Sequence, residues 1–480
     1  MRDSPVSVLT MTVAFLVPLV SALGSVVTVA GLAAARPLAI ALIVLALLTV
    51  RRWDVAAALV LTASIVWLGW GFLSLSTVSN LRNLVALGCG LATALAFALI
   101  PWTPARLRLL VWGWFFAWII AVVPGIAETV TGIHLPNYLE TSPEYVRETV
   151  TDTASFFVNP NPYAVFLCIS MVVFAVGARL EKGWVARTLL VASLAGPVLI
   201  LPTNSRITQL VSLGIAVWIV VWLEVARPYR ARLIAGIVVA VSLAMAFVMM
   251  MPEVQQRILE AFQGSGIMRI NLYLDALWMF ASTGGLGVGP GMFERYIAAG
   301  LTPYDTSSAV NPHSGVFEIL SEYGFLAAGF ALVAVVLLVR LGAPGFTRSF
   351  ADPLDAAARQ GVLVWAVALP VLSFGDSTYL DSPIAWAGIA TTFAFAQYAR
   401  ERGGQPQPRW SIERGTPLPE RMRVFARQGP LSAGEGQSRP PRAVRRPLPR
   451  WAEASVGRRT RVRGSDPAAS GTPSALSPGR

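Results

Sequence analysis

Residues 231–250 read ARLIAGIVVAVSLAMAFVMM, and after Arg232 no charge appears before residue 251. As a helix, this stretch is as long as the hydrocarbon core of a bilayer is thick: about 20 apolar residues cross roughly 30 Å. It is not alone. Comparable stretches lie at 7–30, 35–50, 55–75, 83–101, 107–126, 156–178, 186–202, 207–225, 316–342, 356–375 and 382–399, giving twelve expected spans. The chain has 480 residues, of which 55% are hydrophobic and only 13% charged, with a mean hydropathy of +0.61. Ordinary soluble domains carry about 25% charged residues. The composition therefore excludes a typical soluble enzyme, a disordered chain, a fibrous protein and a disulfide scaffold. The expected fold class is all-α, a polytopic integral membrane helix bundle.

The net charge of +12 is unevenly spread. Residues 400–480 hold 17 arginines against six acids, a net of +11, so the rest of the chain is nearly neutral. Nucleic-acid binding by the whole chain does not follow from such a distribution. From Gly403 onward the sequence is rich in Pro, Gly, Ser and Arg without apolar periodicity, which predicts a disordered basic tail at 401–480. Cys89 and Cys168 each stand inside an apolar run, with no CxxC pair or Cys/His cluster around them. They read as small core residues, and no metal site or cofactor is expected. Arg2, the apolar run 6–20 and Ser21-Ala22-Leu23-Gly24 imitate a signal peptide. Apolar sequence continues beyond it, so an uncleaved first span is expected.

Charge also orients the bundle. With the N-terminus inside, Arg2 and the inner loops carry 14 basic residues and the outer segments seven. That asymmetry fits the positive-inside rule, with both termini cytoplasmic. The expected organisation is a first region of helices and an outer loop (1–150), a core (151–400) with a large outer loop at 251–315, and the tail. Within that loop, 252–263 reads as a short amphipathic helix and 270–280 as a second, interfacial or re-entrant one. Loops of such length in a compact domain are usually functional.

A membrane bundle carries its function in the few polar groups at or near the bilayer. Arg206 follows Asn204-Ser205 at the outer start of a span, and Arg269 lies in the large loop; both stand outside against the charge bias. A guanidinium is permanently charged and grips phosphate oxygens in bidentate fashion, so two of them facing a membrane slot suit a pyrophosphate. His313, one of two histidines, can take a proton from a hydroxyl near neutral pH. Glu318 and Glu322 are spaced i,i+4 and share one helix face, where they could orient a positive centre or a sugar hydroxyl. The glycine run 284–291 contains Gly287 and Gly289. No βαβ unit surrounds it, so it permits a tight turn or close backbone approach rather than dinucleotide binding. His134, in the shorter outer loop, reads as a polar cap.

Taken in order, the motifs are Asn159-Pro160-Asn161, Asn204-Ser205-Arg206, Arg269, Gly287-Val288-Gly289-Pro290-Gly291-Met292-Phe293, Asn311, and His313 ahead of Glu318 and Glu322-Tyr323-Gly324. This order over residues 150–345 resembles the O-antigen ligase and O-antigen polymerase superfamily of bacterial envelope glycosyltransferases. The resemblance implies a metal-independent inverting transferase. Its donor would be a polyprenyl-pyrophosphate-linked glycan, and its acceptor a glycan, lipid or protein hydroxyl at the bilayer, with no nucleic acid involved. By that likeness Arg206 and Arg269 hold the pyrophosphate and His313 assists the acceptor hydroxyl. Ser205, Asn161, Gly287, Gly289, Asn311, Glu318 and Glu322 are the expected substrate-binding set. Ser314 stands where many members have Asn. Two other readings compete. A lipid-linked oligosaccharide flippase would put its charges at mid-bilayer and show inverted repeats. A relative of the peptidoglycan-shaping polymerases would carry an acidic loop signature not found here.

Overall fold

The computed structural model describes residues 5–403 apart from 24–26, 30–31, 50–54, 77–79, 136–151, 158, 225–226, 257–264, 307–308 and 376–378. The chain is a polytopic helical membrane protein. Its helices are α1 Pro5–Ala22, α2 Ala35–Thr49, α3 Val55–Leu73, α4 Leu81–Leu99, α5 Pro104–Thr131, α6 Pro160–Gly177, α7 Gly183–Leu194 and α8 Gly196–Ile200. They continue as α9 Arg206–Trp218, α10 Arg227–Met250, α11 Ser265–Ser282, α12 Met292–Ala298, α13 Gly315–Glu318, α14 Gly324–Gly342, α15 Pro344–Thr347, α16 Pro353–Leu372 and α17 Pro383–Gly403. Wider π-helical turns follow α9 (Ile219–Glu224) and join α13 to α14 (Ile319–Tyr323).

Among the described residues, ten helical stretches are long and apolar enough to cross a bilayer. Each of the twelve expected spans coincides with helix, but not always as read. The span expected at 7–30 ends at Ala22, and a two-residue antiparallel ladder, Thr28–Val29 on Leu32–Ala33, follows it. Helix α2 has only 15 residues. At 1.5 Å per residue it measures about 22 Å, short of the hydrocarbon core. Helix α17 is not among the ten, because Thr391, Thr392, Gln397, Arg400, Glu401 and Arg402 dilute it. The second loop helix exists as α11 and is longer than expected. Positions 252–256 are helical, the rest of the short helix expected at 252–263 lies largely outside the described residues, and the tail from 404 lies wholly outside them.

Local chemistry explains the boundaries. Thr103 accepts the Arg106 N–H at 3.4 Å at the start of α5, with Pro104 in the first turn, where a missing N–H costs nothing. Gly132, at φ 68°, ends the same helix. Asn159 and Pro160 open α6 in the same way, and Asp352 with Pro353 opens α16.

Helix α6 is the hub. Nearly every residue in it is buried, against α5, α7, α9, α16 and α17. Helix α4 packs between α2, α3 and α17, so residues on both sides of position 150 build one continuous core. The indole of Trp114 donates to Thr391 Oγ1 at 3.0 Å, tying α5 to α17. By contrast α10, the stretch that opened the sequence reading, is exposed along its apolar length.

Bonds between loops sort them by end. At one end Arg106 Nη2 donates to Ser7 Oγ (2.8 Å), Arg108 pairs with Glu181 (2.8 Å), Arg179 with Glu224 (2.5 Å), and Gln360 donates to Gly345 O (2.7 Å). At the other, Trp70 Nε1 donates to Leu286 O (2.8 Å), Thr153 N to Pro202 O (2.9 Å) and Leu380 N to Glu318 Oε2 (3.3 Å). The segments expected on a common side are therefore together, and all the sequence motifs fall at the second end.

Candidate active site

Arg206 is the first residue of α9 and is exposed. The turn before it is tightly made. Asn204 is left-handed (φ 54°), Ser205 is buried, and the Ser205 and Thr208 hydroxyls share a hydrogen bond of 2.9 Å. Arg269 lies in the first part of α11. Its Nη1 donates to the carbonyl of Phe374 at 3.4 Å, while its Nε is buried and finds no partner among the described residues.

The turn Ser373–Gly375 connects these two motifs. Phe374 meets Arg269, and a Cβ on Gly375 would lie within 4 Å of Thr208 Oγ1, Ile207 Cβ and Ser205 Oγ. The same stretch of chain goes on to support the third motif. The ring of Tyr379 closes over Gly315, leaving no room for a Cβ there, and the Leu380 N–H reaches Glu318.

His313 is held at φ 45°, in the left-handed region that non-glycine residues seldom adopt. Burial first, and the Arg269 guanidinium second, push its pKa down to about 4. Its imidazole is therefore neutral at pH 7 and lies within the electrostatic reach of Arg269. The structure thus brings Arg269 and the Ser205-Arg206 turn around Phe374 and Gly375, with the helix behind His313 on Tyr379 and Leu380.

The remaining expected residues have contacts of their own. Glu322 accepts the Gly291 N–H at 2.8 Å and the Phe293 N–H at 3.3 Å, so both its oxygens face the start of α12. Val288 N donates to Ser321 O (2.7 Å) and Gly289 N to Glu322 O (3.0 Å), using carbonyls within the π turn. Gly287 has φ 84°, and a Cβ there would come within 2.6 Å of the Glu322 carbonyl. Only glycine fits that conformation and that approach. Gly287, Gly289 and Glu322 hold the glycine-rich loop onto the bundle. Asn161 sits in the first turn of α6 with its N–H on Asn159 Oδ1 (2.9 Å). Among the described residues no hydrogen bond joins its side chain to Arg206, Arg269 or His313. The Oδ1 of Asn311 is buried without a partner.

Two features escaped the sequence reading. One is the 373–381 connector, which carries no motif. The other begins at His134, whose Nδ1 lies 2.5 Å from Glu128 Oε1; Glu128 Oε2 accepts from Ala154 N (3.1 Å) and Ser155 N (2.5 Å). Burial raises the Asp152 pKa, and a hydrogen bond from Asn204 and the field of His134 oppose that rise. Polar groups thus lead from the shorter loop to Asn204, two residues before Arg206. The signal in the sequence was the six-residue spacing of the only carboxylate in α5 and the first histidine.

No curated protein matches the chain. Residues 189–334 match the O-antigen ligase family, a stretch that takes in α9, Arg206, the whole large loop, Arg269 and His313 with the helix behind it. Residues 189–334 thus form an O-antigen ligase-type domain, which ties this part of the chain to the O-antigen ligase and polymerase superfamily.

Proposed function

We propose that this end of the bundle faces the outside of a bacterial plasma membrane and transfers a glycan from a polyprenyl-pyrophosphate donor to a hydroxyl acceptor. The observation that carries the reading is the buried, unpartnered Nε–H of Arg269 beside a neutral His313. A buried donor with nothing to bond costs on the order of 1–3 kcal/mol, and an anionic oxygen arriving there would satisfy it.

The chemistry follows from the charges. Arg206 and Arg269 hold the pyrophosphate. The acceptor oxygen forms a bond to the anomeric carbon from the face opposite the leaving group, and the anomeric configuration inverts. The carbon–oxygen bond to the pyrophosphate breaks, and the pyrophosphate leaves with the electron pair, its growing charge met by the fixed guanidinium groups. The acceptor hydroxyl gives its proton to His313. The bound pyrophosphate offsets the Arg269 field, which makes the imidazole a better base than in the empty site. A fixed pair of cations supplies the stabilisation that a metal gives in other transferases.

The test is a purified preparation with a synthetic polyprenyl-pyrophosphate glycan in the presence of chelator, with product and bound donor measured separately. Arg206→Ala and Arg269→Ala should weaken donor binding and transfer together. Arg→Lys at either position should restore little, because an ammonium cannot reproduce the planar fork. His313→Ala should spare donor binding and slow transfer by about 10²–10⁴-fold. Full activity of the His313 and Arg206 variants would sink the site, and loss of activity on chelation alone would sink the metal-free chemistry. A flippase would instead move labelled donor across vesicles without forming product.

A further inference from the structure

The turn on either side of His313 carries two buried side-chain oxygens, one on Asn311 and one on Ser314, that find no partner among the described residues. Ser314 stands at the N-cap of α13 and is 1% exposed. A serine in that position ordinarily accepts an N–H from the first turn with its hydroxyl. Here it does not: the Glu318 N–H goes to the Ser314 backbone carbonyl at 2.9 Å, and the Ser314 Oγ is buried with no partner. The Oδ1 of Asn311, three residues earlier, is buried and unpartnered too. Few buried polar atoms lack a bond in a folded protein, and two of them flanking one histidine ask for a ligand.

Beside them lies an aromatic surface. Tyr273 and Phe317 stack with centroids 4.4 Å apart, and Phe374 stands edge-on to both at 5.8 and 6.1 Å. All three rings are half-buried. Phe317 follows Ser314 by three residues. Tyr273 is one helical turn from Arg269, and Phe374 carries the carbonyl that Arg269 reaches. An apolar ring face next to a small set of fixed polar atoms is the composition of a pocket that orients a polar ligand with an apolar side. A pyranose is such a ligand, with hydroxyls around its rim and C–H groups on its face.

We propose that Asn311 and Ser314, with the Tyr273–Phe317–Phe374 surface, form the subsite for the acceptor's sugar ring. Ser314 Oγ and Asn311 Oδ1 accept hydrogens from hydroxyls adjacent to the one that reacts, and the aromatic edge covers the ring face. His313, between them in the chain, then meets the reacting hydroxyl. The inference rests on the transferase reading for the word acceptor, while sugar binding itself does not depend on turnover.

The experiment measures binding of methyl glucoside, galactoside, mannoside and N-acetylglucosaminide to the purified full-length protein by saturation-transfer NMR, without donor. At least one should bind the native protein. Ser314→Ala and Asn311→Ala should each weaken it by about ten- to a hundredfold, since each leaves a sugar hydroxyl unpaired. A sugar lacking the hydroxyl that Ser314 holds should bind native protein and Ser314→Ala equally. Removing an unsatisfied hydroxyl should leave the melting temperature of the empty protein unchanged or higher, which a structural serine would not do. The proposal is overturned if no pyranoside distinguishes native protein from the Asn311→Ala/Ser314→Ala double variant, or if Ser314→Ala weakens donor binding instead. Sugar binding that behaves in this way while the native protein forms no product from the polyprenyl-pyrophosphate donor would overturn the transferase reading and leave the subsite standing.

Discussion

At the scale of single residues, the two carboxylates spaced i,i+4 have divided their labour. Glu318 supports the connector after α16, and Glu322 clasps the glycine-rich loop through two backbone N–H groups. Glu322→Ala leaves both donors buried and unpaired, at a cost of about 2–5 kcal/mol. Glu322→Gln keeps one acceptor oxygen and should cost less. Limited proteolysis within 284–298, with the melting temperature, reads the difference. Gly287→Ala should be at least as damaging, because it meets both a left-handed φ and the Glu322 carbonyl. His313 gives a pH signature. Its pKa is about 4 in the folded protein and about 6.5 in an unfolded chain, so the unfolded state takes up its proton first as pH falls. The stability associated with this group is fully present above about 6.5 and drains away between there and about 4. The acid limb of kcat/KM, which reports the free enzyme, should likewise lie near 4 rather than 6.5. A pH profile checks it, and a limb at 6.5 would show that the imidazole is solvated.

At the scale of elements, hydrophobic runs found all ten of the described helical stretches that are long and apolar enough to cross a bilayer, because length and apolarity are what such a span requires. The motif at 284–291 was legible as a close backbone approach, but its partner was not. The π turn that presents the Ser321 and Glu322 carbonyls has no signature in composition; π-helical turns mark functional sites often enough that this one is a useful sign. Arg269 and His313 were legible as rare charged or titratable groups in an apolar chain. The connector at 373–381 was not, since it works through a carbonyl, an N–H and an aromatic ring, which any sequence can supply. Glu128 and His134 were missed because each alone looks like a polar residue near a helix end. Sidedness is open to direct measurement. In a background with Cys89 and Cys168 replaced by alanine, Ala299→Cys should react with an impermeant thiol reagent added outside intact cells, and Lys182→Cys should react only after permeabilisation. Both side chains are exposed, so an inverted result would refute the orientation rather than reflect burial.

At the scale of the whole molecule, one core runs from α1 to α17, and the motif set ends by Gly324. A chain ending at Gly403 should therefore insert and keep the proposed transferase activity, as read by membrane abundance and product formation; loss of activity at unchanged abundance would assign the tail a working role. The last helix is another matter. Helix α17 packs on α4, α16, α1 and α6, so the final span made closes against some of the first. It and α2 are also the two membrane helices least able to enter a bilayer by their own apolarity, one diluted by polar groups and the other too short. During synthesis the face of α4 that receives α17, lined with Gly90 and Thr93, must wait until more than two hundred and eighty further residues have left the ribosome. The completed bundle is thus a lock whose key is cut last. Chains interrupted before α17 should stay open at that seam and be degraded faster than the full chain, as pulse-chase labelling of the two would read.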